Sequence, residues 1–87
     1  MRKIEVVLRN ETGLHARPAS IFVKEASKYS SDIKVVKDGQ EYNAKSIMGI
    51  LSMGAGKGIK LTIIAEGQDE IKAVSELKNL IGSNFEE

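Results

Sequence analysis

Eighty-seven residues with 13 Lys/Arg against 12 Asp/Glu and no cysteine leave room for one small core, with neither disulfides nor thiolate metal sites to brace it. The single histidine leaves too few ligands for a typical zinc or copper centre, and a net charge of +1 gives no strong drive toward nucleic acid. The longest apolar runs fall far short of the roughly 20 residues of a membrane span, and Met1-Arg2-Lys3-Ile4-Glu5 has no signal-peptide core, so one cytoplasmic domain over residues 1–87 is expected, monomeric and without cofactor or membrane insertion.

Ile4, Val6 and Leu8 alternate with Lys3, Glu5 and Arg9, which predicts a strand with one wet face. A helix is expected from Ala16 to about Lys28, with Ala19, Phe22, Val23 and Ala26 as its buried stripe and Lys24, Glu25 and Lys28 in water. Pro18 fits the first turn, where its missing N–H breaks no bond. Ser30-Ser31-Asp32 ends that helix, Ile33 and Val35 mark a second strand, and Asp38-Gly39 signals a tight hairpin into a third strand, Gln40 to Asn43. Ser46 is placed to cap a short helix, Ile47 to Ser52 or Met53, stopped by Gly54. Gly56-Lys57-Gly58 reads as a flexible connector. Ile59 to Ala65 is β-branched and reads as the best-buried strand. Asp69 is expected to cap a last helix with Ile71, Val74, Leu77 and Ile81 as its apolar stripe.

The order β-α-β-β-α-β-α fits an α+β open-faced sandwich, one small sheet with all helices on one face. The second helix strains that picture. Ile47, Met48, Ile50, Leu51 and Met53 point in nearly every direction, so one layer cannot bury them all, and the remainder forms a docking surface.

Thr12-Gly13-Leu14-His15-Ala16-Arg17-Pro18 holds the only histidine and the only proline. His15 falls where a loop becomes a helix, as N-cap or just before it. There the first amides lack intrahelical partners and the dipole adds roughly half a positive charge, a setting that binds phosphate. The dipole also helps keep the imidazole neutral and nucleophilic near pH 7. A phosphoryl group on it could accept hydrogen bonds from the Ala16 and Arg17 amides and a bidentate partner in the Arg17 guanidinium. Standing alone, His15 would read as a capping side chain; its neighbours favour chemistry. Thr12 either orients the ring or caps the helix. Ser46 is, from the residues alone, more simply an N-cap than a phosphorylation site. Arg17, Lys24 and Lys45 either surround the apolar patch of the second helix, suiting an acidic protein partner, or are ordinary solvated charges.

Gly13-Leu14-His15-Ala16-Arg17-Pro18-Ala19 and Lys45-Ser46-Ile47-Met48-Gly49, about thirty residues apart, together resemble HPr, the histidine-containing phosphocarrier family of the bacterial sugar phosphotransferase system. The likeness spans the chain, including the Gly54 helix stop and the Ala65-Glu66-Gly67 strand end. It implies a four-stranded antiparallel sheet covered on one side by three helices. It also implies that His15 takes a phosphoryl group on Nδ1 from enzyme I and passes it to enzyme IIA domains of sugar permeases. Arg17 would stabilise the moving charge, and the protein would be a carrier rather than an enzyme. Ser46 before Ile47-Met48-Gly49 is similar to the Gram-positive form, in which HPr kinase/phosphorylase modifies this serine and catabolite control protein A binds the product. By the same likeness Ile47, Met48 and Leu51 join Arg17 and Lys24 in the partner surface, to which Ser20 and Lys45 are also assigned. Ser20 replaces the more usual alanine or threonine, and Leu51 stands where methionine is common.

Two other readings stand beside the carrier, the first as its alternative. A purely regulatory HPr-like catabolite-repression protein would act through Ser46 and usually lacks the active-site histidine, which is present here. A small hydrolase of the acylphosphatase kind shares the compact α+β build but would not need His15; only fold analogy supports it.

Overall fold

Alternation in the sequence becomes a sheet with one dry face. The computed structural model describes residues 1–85. Strands β1 (Arg2–Val7), β2 (Asp32–Lys37), β3 (Gln40–Asn43) and β4 (Lys60–Glu66) lie in the order β1-β4-β2-β3, every neighbouring pair antiparallel. The register sets Ile4, Ile63, Val35 and Tyr42 in one row across the sheet, flanked on the same face by Val6 and Leu61 and by Ala65 and Ile33. On the other face Lys3, Glu5, Lys34 and Glu41 meet solvent. Asp38 and Gly39 take φ of 51° and 79°, the two positive values a two-residue type I′ hairpin demands.

Helices α1 (Ala16–Ala26), α2 (Ile47–Met53) and α3 (Glu70–Gly82) cover the dry face. α3 packs on β1 and β4, α1 touches both other helices, and α2 leans on β3. Phe22, Ile50 and Leu77, one from each helix, are fully buried in the same core as Ile33, Val35, Leu61 and Ile63. The expected four-stranded antiparallel sheet with three helices is what the chain forms.

Several boundaries and partners differ from the sequence reading. α1 stops at Ala26 because the chain tightens there: Lys28 and Tyr29 donate to the Glu25 and Ala26 carbonyls, three residues back instead of four. Val23 is only half-buried. β4 begins at Lys60, since the Ile59 amide turns back to the Gly56 carbonyl. Ile71, expected in the buried stripe, is 60% exposed. Ala73, Val74, Leu77 and Ile81 define the buried arc of α3, and Ile71 lies about 200° around the helix from Ala73.

Asp69 stands at the N-cap of α3 yet makes no capping bond to it. Its carboxylate instead accepts from the Ser30 and Ser31 amides, both at 3.0 Å, and from the Ser31 hydroxyl. Three donors from the α1–β2 turn outweigh one helix amide, and the first turn is held by Glu70, which accepts from the Gly67 amide at 3.1 Å and pairs with the Met1 ammonium at 2.8 Å. Asp69 thereby ties the loop before α3 to the loop after α1.

The Ser31 hydroxyl, with the Ser30 and Ser31 amides, holds the Asp69 carboxyl below its ordinary value of about 3.9. A carboxylate whose pKa is lowered by folding contributes stability that is fully present above the unfolded value and disappears as pH falls through the folded one. Asp69→Ala is expected to lower the melting temperature at pH 7, with the gap to the parent protein closing as pH drops below about 4. Thermal unfolding of both proteins at pH 7 and pH 3 checks this; an equal gap at both values would show that the clamp is not ionic.

Candidate functional site

The loop from Leu8 to His15 is mounted on the connector between α2 and β4. Leu8 donates to the Ile59 carbonyl at 3.0 Å and accepts from the Gly58 amide at 2.7 Å. Leu14, buried beneath the loop, donates to the Ala55 carbonyl at 2.9 Å. Gly13 between them has φ +60°, and a Cβ built there would lie 2.4 Å from the Ala55 oxygen and 2.6 Å from the Gly56 Cα. Only glycine allows backbone to meet backbone at that distance. Asn10 Nδ2 donates to the Gly13 carbonyl at 2.8 Å, and Lys57 pairs with Glu11 at 2.8 Å across the two segments. The glycine-rich connector, read from sequence as flexible, is the bed on which this loop rests.

The loop delivers His15 to the N-cap of α1 with extended φ/ψ of −117° and 155°, while its carbonyl accepts from the Ala19 amide at 3.3 Å. The imidazole makes no capping bond and is exposed, so its nitrogens stay available to a reaction partner. Neither the Ala16 nor the Arg17 amide has an intrahelical acceptor, Pro18 has no N–H, and no acidic side chain occupies the first turn to cancel the dipole. Ala16 has φ +29°, a conformation that costs a non-glycine residue on the order of 1–3 kcal/mol. Arg17 is exposed, and among the described residues it has no ion partner. Thr12 accepts from Asn10 Nδ2 at 3.4 Å and makes no bond to a helix amide, so it braces the loop.

Ser46 caps α2 as its spacing predicts: its Oγ accepts from the Gly49 amide at 3.1 Å. At the other end Gly54 closes the helix in the left-handed conformation, and Lys37 donates to the Met53 carbonyl at 3.0 Å. Ile50 and Met53 face the core, leaving Met48 75% exposed with Ile47 and Leu51 beside it. Arg17, Ser20 and Lys24 are exposed at three- and four-residue intervals on α1, which packs against α2. His15, Arg17, Ser20 and Lys24 thus lie on the helix that packs against the one carrying the apolar patch. Lys45 is half-buried, and its ammonium is spent on the Tyr29 carbonyl at 2.6 Å.

Sequence reasoning missed Asn10, Lys37 and the Leu14–Ala55 bond. Gly13 and Gly56 carried a signal, two glycines far apart in sequence, but nothing local says which backbone each approaches. Among the described residues no three His, Asp or Glu gather as a metal-holding group, and no helix is long and apolar enough to cross a membrane.

Residues 2–83 match the family model described as the PTS HPr component phosphorylation site. The chain is 49% identical over 76 residues to the HPr-like protein Crh of Bacillus subtilis strain 168, covering 87% of each protein. It is 46% identical over 78 residues to the phosphocarrier protein HPr of Treponema pallidum, covering 90% of this chain and 89% of that one. The crystal structure of HPr from Thermoanaerobacter tengcongensis superposes with a TM-score of 0.97 at 51% identity, over 100% of this chain and 99% of that one.

Gly13→Ala is expected to cost about 1–3 kcal/mol of stability, the usual range for forcing an extra carbon into packed structure, and to shift the amide and ring resonances of His15. Gly56→Ala, whose Cβ would meet nothing within 4 Å, should leave both nearly unchanged. Denaturant unfolding with NMR of the two variants checks the pair; similar behaviour would mean that the close approach at Gly13 does not hold the loop.

Proposed function

The chain belongs to the HPr family of the phosphotransferase system, and from that premise we propose that it is a phosphocarrier which accepts a phosphoryl group on His15 from phospho-enzyme I and passes it to enzyme IIA domains of sugar permeases. One observation carries the reading: an exposed imidazole at the amide-bearing start of α1, beside an arginine, neither of which has a hydrogen-bond or ion partner among the described residues. In charging, the neutral Nδ1 attacks the phosphorus as the bond to the donor histidine breaks. The phosphoryl then rests against the Ala16 and Arg17 amides, and the Arg17 guanidinium offsets charge on its equatorial oxygens. The group leaves by the reverse step, so the protein is a stoichiometric intermediate and not an enzyme with turnover of its own.

Ser46 is the proposed regulatory phosphorylation site, modified by an HPr kinase/phosphorylase, with catabolite control protein A as the partner of the modified form. A phosphate on Oγ at the start of α2 would keep the dipole's favour while setting about two negative charges beside Ile47 and Met48, which disfavours an acidic partner docking there. The second reading, a regulatory protein acting through Ser46 alone, draws on the 49% identity to Crh. The presence of His15 supports the carrier.

Incubation with phosphoenolpyruvate and enzyme I, followed by intact mass, tests the carrier. One phosphoryl increment, stable to base and lost in acid, is expected, and His15 is the only histidine that can carry it. His15→Ala should fold normally and take up nothing; uptake at the parent rate would remove the reading, and failure of the parent protein with active enzyme I would leave the regulatory one. Ser46→Asp is expected to slow charging by tenfold or more, about 1.4 kcal/mol in the docking step, while leaving the His15 resonances in place. Unchanged charging would end the regulatory proposal.

A further inference from the structure

We propose that the free edge of β1, together with the last turn of α3, is a second docking site that takes an extended acidic segment of a partner protein as a fifth strand. β1 ends the sheet, and its ladder to β4 uses one side of its backbone. Among the described residues no backbone group of residues 2–7 bonds elsewhere. Such an edge is a template for a further strand. Beside it opens a groove of about 760 Å³, reaching from the second half of β1 to the end of α3. Val7, 40% exposed, and Ile81 supply apolar wall, which suits alternate side chains of an added strand.

Charge selects the occupant. Among the described residues, Arg9, Lys60 and Lys78 line the groove against one acid, Glu5. None of the three cations has an ion partner among the described residues. A second copy pairing edge to edge would bring six such cations together, with Arg2 and Lys3 adding to the repulsion along the strand. An acidic strand meets the opposite: backbone partners, apolar wall and a complementary rim. No residue of the His15 or Ser46 sites lines this groove, so a partner held here leaves the proposed carrier face open, and the inference stands whether or not the carrier reading does.

The test is ¹⁵N NMR of the whole chain titrated with a blocked heptapeptide, Asp-Val-Glu-Val-Asp-Val-Glu. Its lysine counterpart and a version with alternate amides N-methylated serve as controls. Shifts confined to Glu5 through Arg9, Lys60, Lys78 and Ile81 are expected, with no response to the lysine peptide. N-methylation, and separately the Lys60→Glu/Lys78→Glu double variant, should each weaken binding about tenfold or more. Both lysines are exposed and without an ion partner among the described residues, so the variant should keep the parent spectrum elsewhere. Absence of shifts up to millimolar peptide overturns the proposal, as do shifts centred on α1 and α2 or equal affinity for the N-methylated peptide. Concentration-dependent dimerisation through β1 without peptide would assign the edge to a second copy and overturn it equally.

Discussion

Contact between two backbones, Gly13 against Ala55 and Gly56, is the constraint on which the rest of the candidate site depends. A reactive histidine on a loop is useful only if the loop stays put, yet an exposed loop has few side-chain contacts to hold it. Here the chain solves this with main chain: Leu8 and Leu14 bond to the connector on either side of Gly13, and the Leu14 side chain is driven into the core. His15 is the next residue, so its position is fixed from behind while its ring remains unencumbered. The strain at Ala16 is tolerable because both flanks are tied: the loop before it by these bonds, and the helix after it by Ala19 and Phe22 in the core.

The same connector places the two candidate phosphorylation sites on one continuous piece of structure. Ser46 holds the start of α2, Gly54 and Lys37 hold its end, and the next carbonyl, Ala55, accepts from Leu14 beside His15. A displacement of α2 along its axis would reach the His15 loop through one hydrogen bond. A phosphate on Ser46, however, strengthens the existing cap rather than opposing it. An effect of that phosphate on docking is therefore better sought in the charge it sets on the α2 surface than in movement of the scaffold. Ile47 and Met48, exposed and next to Ser46 in the chain, are where such a charge would be felt.

What the sequence made legible was local chemistry with a fixed spacing. Alternation at Ile4, Val6 and Leu8, the Asp38-Gly39 turn, the Ser46 cap and the Gly54 stop each rest on interactions within a few residues, and each appears as expected. The misses rest on distant partners. Asp69 has the side chain and place of a helix cap, but donors 38 and 39 residues away win its carboxylate. Ile71 fits a helical stripe by spacing, but the sheet fixes which arc is buried and leaves it out. Lys45 is read by its charge as a candidate for the partner surface, and nothing local signals that its ammonium bonds the Tyr29 carbonyl. The candidate site was read by the same logic: His15 at a helix start is a local inference, whereas the bed beneath it, built from residues 55–59, is not.

The proposed carrier would need partners that bind briefly, because the group has to be both taken up and handed on. Ile47, Met48 and Leu51 give a small apolar centre, well short of the area of a permanent interface, and cations on the adjoining α1 would add rate of encounter more than strength. Little reorganisation is needed on docking, because both helices are anchored by fully buried residues, Phe22 in α1 and Ile50 in α2. With little to order on binding, weak contacts would suffice for the proposed docking, and dissociation would stay fast. The rigidity imposed at Gly13 and the modest size of the α2 patch are thus two sides of one requirement: the proposed phosphoryl acceptor must be presented in a fixed geometry to surfaces that do not keep it.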